Sequence, residues 1–153
     1  FKGHPMGGYG GALKQLSIGC ASSYGKAYIH GAGVPENIWT ANHDDFLKSM
    51  ADAALSVVNL FDKKIAYINV MCNMSVDCDC CAKAEDPCMK DIGILSSLDP
   101  VALDKACVDL IYNSTDPGRD HLVERIESRN GVHTIDCAAD LEIGSKEYEL
   151  IEI

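Results

Sequence analysis

Between Asp44 and Phe61 the apolar residues Phe46, Leu47, Met50, Ala53, Ala54, Val57, Val58 and Phe61 recur at steps of three and four. That spacing predicts a helix with one long apolar side, and Asn42 or Asp44 is available to cap it. After the polar turn Asp62-Lys63-Lys64, the run Ile65 to Met71 is nearly continuous in apolar character, the pattern of a strand covered on both faces. A helix that must bury one side, followed at once by such a strand, commits the chain to helices layered on a sheet.

The rest of the chain extends this order. A second short apolar run, Ile92 to Leu95, leads into Ser96-Ser97-Leu98-Asp99-Pro100, where a capping side chain before proline starts another helix. Val101, Ala102, Leu103, Ala106, Cys107, Leu110 and Ile111 mark its buried side. Asp116-Pro117-Gly118 turns the chain into a third helix through Leu122, Val123 and Ile126, ended by Gly131. Residues 134 to 143 predict a short helix and Glu147 to Ile153 a strand. Near the start, Gly7-Gly8-Tyr9-Gly10-Gly11 is a turn entering a short helix, residues 12 to 18, stopped by Gly19. Residues 19 to 40 show no period and read as irregular. The expected fold is a single α/β domain over residues 1–153, three layers with a mainly parallel sheet flanked by helices. Phe1-Lys2-Gly3-His4 opens without methionine and reads like the end of a strand. We therefore expect the C-terminal portion of a longer chain.

The strand predicted over residues 65 to 71 delivers the chemistry at its C-terminal end. Cys72, Cys78, Cys80, Cys81 and Cys88 put five of the eight cysteines within seventeen residues, interleaved with Asp77, Asp79 and Asp86. Thiols used as small core groups scatter over helices and strands instead. Cys78 and Cys80 stand at i and i+2, so in an extended segment both sulfurs leave the same face and can grip one zinc or iron ion, with Cys81, Cys88 or Cys72 in reserve. Asp77 and Asp79 then face the other way, as solvated loop acids or acceptors around the ligands. Four disulfides are the alternative use of eight cysteines, but the adjacency of Cys80 and Cys81 suits a ligand cluster better. Cys107 and Cys137 lie on apolar helix sides and read as core.

Around the glycine-rich turn, His4, Cys20 and His30 make a looser set of imidazole and thiol donors. The same turn, with Gly10 and Gly11 ahead of a helix and Lys14 and Lys26 for charge, offers an anion site. Neither a phosphate-loop nor a dinucleotide-binding glycine spacing is present, so close backbone packing explains these glycines as well.

Charge removes one class of partner. Thirteen Lys and Arg against 23 Asp and Glu give a net charge of −10, without the basic face that a nucleic acid needs. No apolar run approaches the roughly 20 residues of a membrane span, and no leader pattern precedes the turn, so we expect a cytoplasmic protein without membrane partners.

Three strings together resemble a known family: Lys2-Gly3-His4 with Gly10-Gly11-Ala12-Leu13-Lys14 and Gly19-Cys20-Ala21-Ser22; Asp77-Cys78-Asp79-Cys80; and Asp91-Ile92-Gly93-Ile94 with Ser97, Asp99-Pro100-Val101-Ala102 and Asp104. The chain resembles the domain of unknown function 362, whose members are often labelled uncharacterised iron-sulfur centre proteins. The resemblance implies a prokaryotic cytosolic protein whose His4, Cys20, Cys78 and Cys80 match motif positions, and it implies no known reaction. Many members carry two ferredoxin-like four-cysteine motifs between the counterpart of Cys20-Ala21-Ser22 and the helix that here begins near Asp44. This chain has about twenty residues there and no cysteine among them, so the iron-sulfur label does not transfer with the resemblance.

The leading expectation is a protein that binds zinc or iron through Cys78 and Cys80, with His4, Cys20, His30, Cys81 or Cys88 completing the set, in a redox-related role. The rival is an enzyme that holds a small anionic substrate at Gly10, Gly11, Lys14 and Lys26 and moves a proton with a histidine.

Overall fold

The computed structural model describes residues 1–78 and 80–153, so Asp79 lies outside the described residues. A hairpin opens the chain, β1 (Lys2–His4) against β2 (Gly8–Gly10), antiparallel with Gly3 opposite Tyr9. One turn of helix, α1 (Ala12–Lys14), continues into a wider π-helical turn over Gln15–Gly19. Then follow α2 (Ser23–His30), α3 (His43–Leu60), β3 (Tyr67–Met71), β4 (Gly93–Ser97), α4 (Pro100–Tyr112), α5 (Arg119–Ser128) and α6 (His133–Asp140).

The long helices form for the reasons their sequences state. The Asn42 side chain accepts hydrogen bonds from the Asp44 and Asp45 amides and starts α3, which buries Phe46, Leu47, Met50, Ala51, Ala54 and Val58. Asp99 caps α4 in the same way through the Val101 and Ala102 amides, with Pro100 in the first turn. Two apolar clusters result. The larger joins α3 through α6 with β3 and the first helical turn, and the smaller sets Ile18 and Ile29 against Phe46, Leu47 and Met50.

The sheet differs from expectation. β3 and β4 pair antiparallel, Tyr67 opposite Ser97 and Met71 opposite Gly93, and the described residues form two two-stranded sheets, with no three-layer parallel arrangement. A parallel pair needs a crossover, usually a helix, whereas the described residues between 72 and 92 contain none and the chain simply returns. β3 also alternates. Tyr67, Asn69 and Met71 are buried on the α4 side, while Ile68, Val70 and Ile94 are exposed, so the apolar run is covered on one face and open on the other. The segment Glu147–Ile153, expected as a strand, takes no strand pairing and is exposed. Conversely, α2 lies where an irregular segment was expected. Ser22 caps it through the Gly25 amide, but Ile29 is its one buried residue, so it has no apolar stripe to read.

The hairpin is fastened to the chain that leaves β3. The Phe1 backbone nitrogen donates to the Val70 carbonyl at 2.6 Å and the Gly3 amide to the Ser75 carbonyl at 2.8 Å. A Cβ on Gly3 would stand 2.2 Å from the Val76 carbonyl oxygen, so only glycine lets the two backbones approach this closely. Among the described residues no helix is long and apolar enough to cross a membrane.

Candidate metal centre

Fastening β1 to residues 70–76 brings His4 to the cysteine loop. Three potential ligand atoms, one each from His4, Cys78 and Cys80, lie within 4.8 Å of one another. His4 and Cys78 are buried and Cys80 is exposed. The loop is held from several sides. Arg125 on α5 donates through Nη1 to the Val76 carbonyl at 3.1 Å and to Asp77 Oδ1 at 2.8 Å, fixing the two residues before Cys78. Asp77 Oδ2 accepts from the Glu85 amide, the Ser75 hydroxyl donates to the Glu85 carbonyl, and the Cys81 amide donates to the Cys78 carbonyl.

The hydrogen bonds of His4 settle its tautomer. Nδ1 accepts from the Gly7 amide at 2.9 Å and the Met6 amide at 3.2 Å, so it carries a lone pair and the ring proton sits on Nε2. Nε2 lies 3.5 Å from Cys80 Sγ and is the donor in that contact. Burial, aided by Lys14, His30 and Arg125 and opposed by Asp77, holds the His4 pKa down at about 4. The ring is thus neutral at pH 7, the charge state a ligand needs.

Cys78 and Cys80 are joined as a disulfide, their Cα atoms 5.3 Å apart, which is within the ordinary disulfide span. The i, i+2 spacing that suits two ligands on one face suits this bond equally. It is the one disulfide among the described residues; Cys20, Cys72, Cys81, Cys88, Cys107 and Cys137 are free thiols.

The other expected donors are not part of the group. Cys20 is exposed at the end of the π-helical turn. His30 bonds the Lys26 carbonyl through Nδ1 at 2.7 Å and stacks on Phe46. Cys88 donates to the Met74 carbonyl, and burial pushes its thiol up. Cys81 is half-buried beside Cys78 and supplies no third sulfur to the group. Arg125 escaped sequence reasoning because nothing local to α5 marks it as a partner of Asp77.

A cavity of about 350 Å³ opens beside the sulfurs, lined among others by Lys2, Gly10, Gly11, Lys14, Cys78 and Cys80; Lys26 is not on its wall. The helix N-terminus here already holds an anion of the protein itself. Ala12 and Leu13 amides donate to the two oxygens of Asp104 at 2.7 and 3.0 Å, and Asn69 Nδ2 donates to Oδ1 at 2.8 Å. Gly11 makes room, since a Cβ there would sit 2.3 Å from Asp104 Oδ1. Asp104 is fully buried, and burial outweighs its hydrogen bonds and raises its pKa to about 6.

The family model for a domain of unknown function (DUF362) matches residues 1–109. The chain belongs to this family. The match includes the hairpin, the cysteine loop and Asp104, and it ends within α4. No curated protein and no solved structure matches the chain. Membership of DUF362 brings no reaction with it.

Proposed function

We propose that the reduced protein binds a zinc or iron ion through the Cys78 and Cys80 thiolates and His4 Nε2. The observation that carries this reading is the convergence of one imidazole and two sulfurs within 4.8 Å from segments more than seventy residues apart. Two soft donors and one borderline donor suit a thiophilic ion, and three protein ligands leave a fourth position open to solvent or a small molecule. Loading requires the Nε2 proton to leave. A neutral ring then carries its proton on Nδ1, where the Met6 and Gly7 amides now point, so those amides turn away as the ion binds.

Purification without oxygen followed by metal analysis tests the reading: roughly one equivalent of metal is expected, and under about a tenth of an equivalent in the reduced protein would sink it. Zinc leaves the site colourless, whereas iron on thiolate gives visible absorption that changes on reduction. The cavity supports a second element, a small anionic ligand beside the ion. Its cationic wall is Lys2 and Lys14, with the Gly10 and Gly11 backbone adjacent, while the first helical amides are taken by Asp104. Stabilisation by phosphorylated or carboxylated metabolites that survives Cys78→Ser would separate anion binding from metal binding.

A further inference from the structure

We propose that the Cys78–Cys80 disulfide is the off state of the metal site, so that the thiol–disulfide balance of the surroundings sets metal occupancy. The inference rests on the metal reading above and adds its regulation. The sulfurs that converge with His4 are the same two atoms that share the disulfide. A disulfide sulfur has no thiolate charge to give a metal, so the two states exclude each other. Little movement of the cysteine loop separates them, because the bond closes between residues two apart, next to a stretch held by Arg125, Ser75 and Asp77. The other six cysteines take no disulfide partner, which makes this pair distinct in the chain. Access is provided as well: Cys80 is exposed, and the neighbouring cavity reaches both residues.

The co-reactant is a low-molecular-weight disulfide. One thiolate attacks it, breaking the reagent's S–S bond and forming a mixed disulfide with release of one thiolate. The second cysteine sulfur then displaces the other half, closing the Cys78–Cys80 bond. Two electrons pass from the protein sulfurs to the reagent, two protons from water convert its halves to two thiols, and the metal ion leaves with its ligands gone. A dithiol reductant runs the sequence in reverse and restores the site. Linkage makes the effect reciprocal: a metal that binds only the dithiol form holds it reduced.

The test compares the full chain, reduced without oxygen or treated with excess oxidised glutathione, by zinc equilibrium dialysis and by peptide mapping of the disulfide. Reduced protein should bind about one zinc that Cys78→Ser and Cys80→Ser each remove, and oxidised protein should lose that zinc and gain the Cys78–Cys80 bond. Free zinc at about a hundred times its Kd should lower the oxidation equilibrium constant about a hundredfold, which is about 59 mV for a two-electron couple. Oxidised protein that keeps its zinc overturns the switch and leaves the metal reading standing. So does a pair that stays reduced in excess oxidant without zinc. Reduced protein that binds no zinc or iron, while the disulfide still opens and closes, overturns both.

Discussion

Asp104→Asn offers a direct reading of the buried carboxylate that holds the glycine turn to α4. In the folded chain its pKa is about 6 against an ordinary 3.8, a difference of roughly two units or about 3 kcal/mol. Because the folded value is the higher one, the folded state binds the proton more tightly. That contribution is complete below pH 3.8 and is lost as pH rises through 6. Asparagine cannot ionise, so the variant lacks this loss. It does set an NH2 group toward one of the three donors that Asp104 now accepts, at a pH-independent cost of about 1–3 kcal/mol. Urea unfolding of both proteins, followed by circular dichroism at steps from pH 3.5 to 7.5, isolates the group because every other titration cancels in the difference. Wild-type minus variant stability should fall by about 3 kcal/mol across that range. A difference that stays flat or rises with pH would refute the reasoning. It would mean that the Ala12, Leu13 and Asn69 donors outweigh desolvation and that the charged carboxylate is the favoured buried form.

Gly11→Ala should destabilise the protein by about 1–3 kcal/mol in the same unfolding assay, because the new Cβ meets the Asp104 carboxylate and either the turn or α4 must shift. Arg125→Met should cost about 1–3 kcal/mol, reading as lost support for Asp77 and the Val76 carbonyl, and should weaken zinc binding to the reduced protein by about tenfold or more in competition with a chelator. In amide NMR spectra of the reduced protein, zinc should shift the Met6 and Gly7 resonances and speed their hydrogen exchange. Unchanged Met6 and Gly7 signals at full zinc occupancy would remove His4 from the ligand set.

The helices that were legible carry their instructions within a few residues. α3 and α4 each have a capping side chain, an apolar stripe and a polar side, and all three are local. α2 was not legible, since a surface helix with one buried residue has no stripe. The sheet direction was not legible either. An apolar run such as Ile65 to Met71 does not record whether both faces find a cover, and Ile68 and Val70 stay exposed. In the candidate centre, Cys78 and Cys80 could be read as a pair from their spacing. Of the looser donors around the glycine turn, the fold brings in His4 and leaves Cys20 and His30 outside the group. Arg125 and the part played by Asp104 escaped because each acts on a segment tens of residues away.

By itself, the sequence determined the donor chemistry, the positions of the main helices and the closeness of Cys78 and Cys80, because each depends on covalent spacing and local hydrogen bonding. Tertiary structure decided which histidine meets those sulfurs, through the close packing of Gly3 against Val76 that seats His4 beside Cys80. It also decided that the anion at the glycine turn is Asp104, since a carboxylate more than ninety residues away in the chain reaches the helix amides only once α4 has packed.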